Sequence, residues 1–274
     1  MLRFVIIYLY MKKRSIVFVH GLWLHSTSWK PWMDFFTKAG YEVFAPGWPG
    51  DAATVAETRK HPEKIAGVGI NDAMEHYSKF IKTLDDKPIL IGHSFGGLLV
   101  QKLLGENVGA GAVAIDPAQM RGVLPVPLAQ LKSGFPILKN PFNITMSVSL
   151  TSDEFRYGFG NAISEEESNK LYKKWTIPAP GKPLFSGAFA NFNPNTEDQV
   201  DTANAKRGPL LLISGGQDHT VPTVVTKAAF KLYKDSSAVT EFKEFPDRGH
   251  SLTIDSGWKE IAEYSLDWLQ KHSL

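Results

Sequence analysis

The pentapeptide Gly92-His93-Ser94-Phe95-Gly96 constrains the fold more than any other part of the sequence. The apolar run at residues 88–91 is typical of a buried strand, and residues 95–104 place leucines at helical spacing. A turn between them forces Ser94 into a strained backbone conformation, and the flanking glycines leave room where side chains would collide. The sequence therefore predicts a strand, a sharp turn and a helix, with the Ser94 hydroxyl projecting from the sheet.

Two later segments carry groups that can activate such a hydroxyl. Residues 209–214 form an apolar run that predicts a buried strand, and it leads into Asp218. Residues 239–245 alternate as a strand and lead into His250, ahead of the final helix. A serine nucleophile needs a base, and the base needs a group that orients it. The chain order serine, acid, histidine is one of three known triad orders, so we predict Ser94 as nucleophile, Asp218 as acid and His250 as base.

From about residue 15 to its C-terminal helix, the chain resembles the α/β-hydrolase-fold enzymes. The resemblance is carried by the serine elbow, by His20-Gly21 after the predicted strand 15–19, and by the G-x-x-D-x-x-V-P setting of residues 215–222. Residues 19–25 and 45–50 are similar to bacterial carboxylesterases and lipases, including some that open N-acyl homoserine lactones.

The resemblance implies roles for two further residues. In the family, the residue after His-Gly and the residue after the nucleophile give backbone N–H groups to an oxyanion hole, which here implies Leu22 and Phe95. We expect Trp23 beside this loop and His93 within the elbow to line the substrate site.

Asp116 competes with Asp218 for the role of the acid, because it also follows an apolar run, at residues 112–115. The resemblance favours Asp218, since the family most often places the acid after the penultimate strand. Asp247 is close to His250 in sequence, and we expect it to be a solvated turn residue.

Strands and helices alternate along most of the chain. Strands at 15–19, 41–45, 88–93 and 111–116 and helices at 27–39, 71–84 and 95–105 predict a mostly parallel twisted sheet with helices on both faces. The alternation breaks at a proline- and aromatic-rich stretch, which the resemblance implies is a cap over the active site. We therefore expect hydrolase core at 1–117, a cap at 118–207 and core again at 208–274.

Composition excludes several classes of function. The formal net charge is only +2 without a long basic run, so nucleic acid is not an expected partner. The absence of cysteine excludes disulfides, a thiolate metal site and a cysteine nucleophile. We expect neither a cofactor nor a metal; oligomeric state stays open.

The apolar residues 1–10 are too few to span a bilayer, and no small-residue cleavage site follows them. We therefore expect no stable membrane insertion and a cytoplasmic protein, in which Met1 or Met11 is the natural start.

Together these features predict a serine hydrolase that cleaves small carboxylic esters or lactones with an apolar acyl group, through an acyl-enzyme on Ser94. Three alternatives stay open. They are an N-acyl homoserine lactonase, a serine haloperoxidase or perhydrolase with the same triad, and a ligand receptor built on the same fold.

Overall fold

The computed structural model describes residues 14–274, and its centre is a six-stranded sheet. A separate two-stranded antiparallel sheet accompanies it. The strands in chain order are β1 (Ser15–Val19), β2 (Glu42–Phe44), β3 (Ile89–His93), β4 (Gly111–Ile115), β5 (Ser147–Val148), β6 (Ala179–Pro180), β7 (Leu210–Gly215) and β8 (Thr240–Phe245).

The strand order across the large sheet is β2-β1-β3-β4-β7-β8, and every neighbouring pair is parallel. The four central strands are buried along their whole length. Continuous apolar sequence is what a parallel sheet covered on both faces requires. All strands therefore end at one edge, which brings the loops after β1, β3, β4, β7 and β8 together.

Helices cover both faces of this sheet. They are α1 (Lys30–Lys38), α2 (Val55–Lys60), α3 (Ile70–Ile81), α4 (Phe95–Gly105), α5 (Leu128–Leu138), α6 (Ser152–Gly158), α7 (Glu165–Trp175), α8 (Lys182–Phe189), α9 (Thr223–Lys231) and α10 (Trp258–Lys271). Val17, Leu90 and Leu212 pack towards α3, α4 and α9, whereas Phe18 and Ile91 pack towards α1 and α10. Alternation along each strand thus builds two apolar cores.

The fold class predicted from the sequence is confirmed, with element ends that shift by a few residues. A 3-10 turn at Ser26–Trp29 precedes α1, which therefore begins later than expected. Helix α2 was missed, although Thr54 caps it by accepting a hydrogen bond from the Glu57 N–H at 3.2 Å. A threonine followed three residues later by glutamate is a helix-start signal that the sequence did offer.

Residues 118–207, which we call the cap segment, lie between β4 and β7 and contain α5 to α8 and the antiparallel strand pair β5–β6. Backbone hydrogen bonds tie this segment to the loop after β1: the N–H of Ile177 donates to the carbonyl of Trp23, and that of His25 to the carbonyl of Trp175, both at 3.0 Å. Arg59 adds a bond to the carbonyl of Thr176 at 2.8 Å. The last turn of α7 is thereby fixed beside that loop.

The apolar segment at residues 1–10 and both candidate start positions, Met1 and Met11, lie outside the described residues. Within residues 14–274, no helix combines the length and the apolar character needed to cross a membrane.

Candidate active site

Ser94 occupies the turn between β3 and α4 in a strained backbone conformation, with φ 56° and ψ −121°. A side chain at Gly92 would overlap the carbonyl of Gly96, and one at Gly96 would overlap the carbonyl of Val19. Both glycines are therefore required for the strand, turn and helix to cross so closely. The first turn of α4 directs its amides and the positive end of its dipole at the Ser94 position.

Asp218 and His250 meet at the same edge of the sheet. His250 Nδ1 lies 2.6 Å from Asp218 Oδ2, and both residues are buried. The other oxygen, Asp218 Oδ1, accepts hydrogen bonds from the backbone N–H groups of Thr220 at 2.6 Å and Val221 at 2.8 Å. These two amides hold the carboxylate in one orientation, which fixes the imidazole with Nδ1 facing the acid and Nε2 facing away.

Two aromatic rings, those of His93 and Phe159, pack against the imidazole of His250. His93, the residue before Ser94, packs on it with ring centroids 4.6 Å apart, and its Nε2 lies 2.9 Å from the carbonyl oxygen of His250. Phe159 of the cap segment meets the same ring edge-on at 4.7 Å. His250 Nε2 is buried and has no hydrogen-bond partner among residues 14–274. The nitrogen that a general base would use thus makes no hydrogen bond to Ser94 Oγ or to any other described atom.

Burial and the neighbouring His250 hold the pKa of His93 well below its ordinary value, so this ring is neutral. Because Nε2 donates to a carbonyl, the proton of neutral His93 resides there. His93 is only 1% exposed, and Trp23 is 6% exposed with its indole N–H donating to the carbonyl of Val148 at 3.0 Å. The predicted contacts of these two residues with substrate stay predictions.

Asp116 is brought into the same cluster. It is fully buried just beyond β4 with φ 41°, and its Oδ1 accepts the Gly215 N–H at 2.7 Å. Its Oδ2 lies 3.9 Å from His250 Nδ1, farther than the 2.6 Å of Asp218. Burial, and then the charge of Asp218, raise the pKa of Asp116 well above its ordinary value. A protonated Asp116 can donate to Asp218, whereas two ionised carboxylates could only repel one another.

The loop after β1 lies against the elbow. The N–H groups of Leu22 and Phe95 donate no hydrogen bond to any residue of the described part of the chain. Behind the loop, His20 Nε2 lies 3.0 Å from the buried carboxylate of Asp51, and His20 Nδ1 lies 2.9 Å from the carbonyl of Gly21. His20 thus bonds its own loop through Nδ1 and the loop after β2 through Nε2. Joining the two loops holds the loop after β1 in place, which suits a site built from backbone amides.

Gly21 makes the closest approach between this loop and the elbow. A Cβ there would lie 2.6 Å from Ser94 Cβ and 2.8 Å from the His93 carbonyl. We expect Gly21→Ala to displace the Leu22 amide and lower kcat/KM for an ester by roughly 100-fold or more, the effect of losing one oxyanion donor. Gly187→Ala is the matched control, because its Cβ would meet no atom closer than 3.6 Å. Equal kcat/KM in both variants would contradict a role for the loop.

The described residues contain one group that could approach a metal ion: His93, Asp116 and His250 offer ligand atoms within 4.8 Å of one another. His93 Nε2 and His250 Nδ1 are already engaged in hydrogen bonds of 2.9 and 2.6 Å. The remaining atoms of the cluster, His93 Nδ1, Asp116 Oδ2 and His250 Nε2, have no hydrogen-bond partner among residues 14–274.

Sequence reasoning missed two residues of this site. Asp51 lies several residues after β2, and no sequence motif marks it apart from its place directly after residues 45–50. In the structure it pairs with His20. Phe159 belongs to the cap segment, and its carbonyl also accepts the Ser251 N–H at 3.1 Å. Only the folded chain shows that it touches His250.

The sequence agrees with this architecture. A model described as the alpha/beta hydrolase family matches residues 16–264, so the chain belongs to the α/β hydrolase family.

Individual relatives match this chain over only part of its sequence. Protein ABHD8 of Homo sapiens is 31% identical over 115 residues, which cover 38% of this chain and 25% of that protein. The chain thus spans about a quarter of the length of that relative. The probable carboxylesterase SOBER1-like of Arabidopsis thaliana is 32% identical over 91 residues, 33% of this chain and 32% of that protein.

Solved structures share the fold over nearly the whole chain. A monoacylglycerol lipase of Paleococcus ferrophilus superposes with a TM-score of 0.68 at 24% identity, covering 94% of each chain. An extracellular α/β-hydrolase of a Paenibacillus species superposes with a TM-score of 0.69 at 21% identity, covering 93% of this chain and 98% of that one.

Proposed function

We propose that the protein is a serine hydrolase of carboxylic esters or lactones that acts through an acyl-enzyme on Ser94. The observation that carries this proposal is the 2.6 Å bond between His250 Nδ1 and Asp218 Oδ2, which leaves a buried, unpartnered Nε2 at a strained serine elbow. An orienting acid, an imidazole nitrogen without a partner and a serine hydroxyl at a sharp turn are the three parts that acyl transfer needs.

In the first step, Ser94 Oγ forms a bond to the acyl carbon while its proton passes to His250 Nε2. The carbonyl oxygen becomes an oxyanion, which accepts hydrogen bonds from the free N–H groups of Leu22 and Phe95. Each such donor is typically worth about 2.7 to 4 kcal/mol of transition-state stabilisation. Asp218 stabilises the imidazolium that forms.

The tetrahedral intermediate then collapses. The bond to the leaving alkoxide breaks, and His250 gives its proton to that oxygen. In the second half, His250 takes a proton from water as the water oxygen attacks the acyl carbon. Ser94 leaves as the acid product forms, and it regains its proton from His250.

An apolar acyl group fits the surroundings of the triad. Phe159 lies on His250, and Phe155 stacks on Phe159 with ring centroids 4.9 Å apart. Trp23 meets the edge of Phe159 at 6.4 Å. The kinship agrees with this proposal, since the similar proteins include a monoacylglycerol lipase and a probable carboxylesterase by their descriptions.

The proposal is tested by a turnover profile of the purified protein. We expect hydrolysis of p-nitrophenyl esters with short or medium acyl chains, because the side chains that surround the triad are aromatic and apolar. Kinetic constants should be measured for a series of acyl lengths and, in parallel, for N-acyl homoserine lactones by acid release.

The outcome of this turnover profile distinguishes the four candidate functions. Ester turnover without lactone turnover supports an esterase, and preferred lactone turnover supports the lactonase. Activity that depends on peroxide in place of water supports a perhydrolase. Negligible turnover of every substrate together with tight ligand binding contradicts the proposal and favours a receptor.

A further inference from the structure

A short stretch of the cap segment contacts both of the loops that carry the proposed acid and base. The acid loop, residues 216–222, joins β7 to α9 and contains Asp218; the histidine loop, residues 246–257, joins β8 to α10 and contains His250. The stretch that meets both of them is residues 157–161, at the C-terminal end of α6, and we call it the clasp segment.

The C-terminal end of α6 bonds to the acid loop through two backbone carbonyls. The last carbonyls of a helix have no partner within it, and here Tyr157 and Gly158 carry two of them. His219 Nδ1 lies 3.1 Å from the Tyr157 carbonyl oxygen, and Thr220 Oγ1 donates to the Gly158 carbonyl at 2.8 Å. The backbone N–H of Thr220 donates to Asp218 Oδ1 at 2.6 Å. The residue that holds the carboxylate is thus itself held by the clasp segment.

Asn161 reaches both loops from the other end of the clasp segment. Its Nδ2 donates at 2.6 Å to the carbonyl of Gln217, the residue before Asp218. A Cβ at Gly249, the residue before His250, would lie only 3.1 Å from Asn161 Oδ1. The backbone of the histidine loop therefore lies close against the same side chain that bonds the acid loop.

Phe159 contacts the base directly. Its ring meets the imidazole of His250 edge-on, with centroids 4.7 Å apart, and both side chains are buried. Its carbonyl accepts the N–H of Ser251 at 3.1 Å. Phe159 therefore acts on two consecutive residues of the histidine loop, through the imidazole of one and the backbone of the next.

We propose that the clasp segment positions the triad, with Phe159 as the positioning residue for His250 and Asn161 as the positioning residue for the acid loop. The inference rests on the proposed function, since it concerns the same acid and base. A cap that only covered the site could contact the core anywhere, whereas these contacts converge on the residues next to Asp218 and His250. Such placement matters, because a displacement of about 1 Å can lower a rate by roughly 100-fold.

Proton NMR of the full chain with isotope-labelled histidine tests the position of the imidazole without requiring turnover. The proton between His250 Nδ1 and Asp218 Oδ2, which are 2.6 Å apart, should give a far-downfield resonance that exchanges slowly with water. We expect Phe159→Leu and Asn161→Ala each to broaden or abolish this resonance, because the imidazole and the acid then lose their fixed relation. Asn161 is only half-buried, so its replacement keeps the fold even where the larger change at Phe159 does not.

Kinetics with p-nitrophenyl acetate give a second readout. The acetyl group gains little from apolar contacts, so KM should stay nearly constant in Phe159→Leu. We expect kcat to fall by roughly 10- to 100-fold, the loss that a displaced catalytic group produces. A role of Phe159 in substrate binding alone would raise KM and leave kcat unchanged.

Phe185→Leu is the matched control. Phe185 of α8 is buried in the same apolar cluster as Phe159, so its replacement removes the same atoms from the cap segment. The two rings on His250, those of His93 and Phe159, stay in place. The downfield resonance and kcat should therefore both survive in this variant.

The outcomes separate this inference from the proposed function. A clasp variant that retains both the resonance and kcat would overturn the role of the residue it replaces. Equal losses in Phe185→Leu, or a native protein without the resonance, would overturn the whole proposal. A native protein that shows the resonance, loses it in Phe159→Leu and hydrolyses no ester would contradict the proposed function and still support the positioning role.

Discussion

Replacing Ser94 with alanine should remove ester turnover, with kcat/KM falling by roughly 10⁴- to 10⁶-fold, as happens when a triad nucleophile is deleted. The fold should survive, because alanine fits the space that serine leaves at φ 56° and Gly92 and Gly96 still make the turn. The measurement is kcat/KM for the best p-nitrophenyl ester, with thermal unfolding as the check on folding.

Ser273→Ala is the matched control. Ser273 is the other described serine with a left-handed backbone, at φ 57°, and it is exposed near the C-terminus. Its replacement should leave kcat/KM unchanged. In addition, phenylmethylsulfonyl fluoride should add one sulfonyl group to the native protein and none to Ser94→Ala, as measured by intact mass. Turnover by Ser94→Ala close to the native rate would exclude the acyl-enzyme.

Replacing Asp218 with asparagine should lower kcat by about 10⁴-fold, the loss expected when the orienting acid of a triad becomes an amide. The amide can donate to Nδ1 of His250, so it favours the tautomer in which Nε2 carries the proton and cannot act as a base. The two backbone N–H groups of Thr220 and Val221 would also face an amide in place of a charged oxygen.

Asp116→Asn should have a much smaller effect, within about tenfold, since an amide resembles the neutral carboxyl group that its raised pKa indicates. The amide oxygen can still accept the Gly215 N–H, and the amide nitrogen can still donate to Asp218. Steady-state kinetics of both single variants and the double variant decide the assignment. A larger loss for Asp116→Asn than for Asp218→Asn would make Asp116 the acid.

The two largest expected effects both concern residues that local sequence rules identify. Ser94 is recognisable because a strand, five residues with two glycines and a helix can be read within a short window. Asp218 and His250 are recognisable because each follows a predicted strand, and parallel strands end at one edge. The sheet was also predictable, because strands that are buried on both faces are apolar along their whole length.

Other parts of the site depend on contacts that no local pattern encodes. Asp51 pairs with His20 across a loop, and Phe159 reaches His250 from a segment 91 positions earlier in the chain. The raised pKa of Asp116 follows from its burial beside Asp218, although the sequence presents it as an ordinary carboxylate after a strand.

The sequence by itself determined the sheet, the serine elbow and the two loops that carry Asp218 and His250, because each follows from hydrophobic periodicity and turn chemistry within a few residues. The tertiary structure decided which carboxylate faces the imidazole, at 2.6 Å for Asp218 and 3.9 Å for Asp116. It also decided which apolar side chains of the cap segment are buried and which, such as Leu128 and Phe142, face solvent. Both outcomes depend on packing between distant segments, and that packing is set by three-dimensional contacts and not by neighbours along the chain.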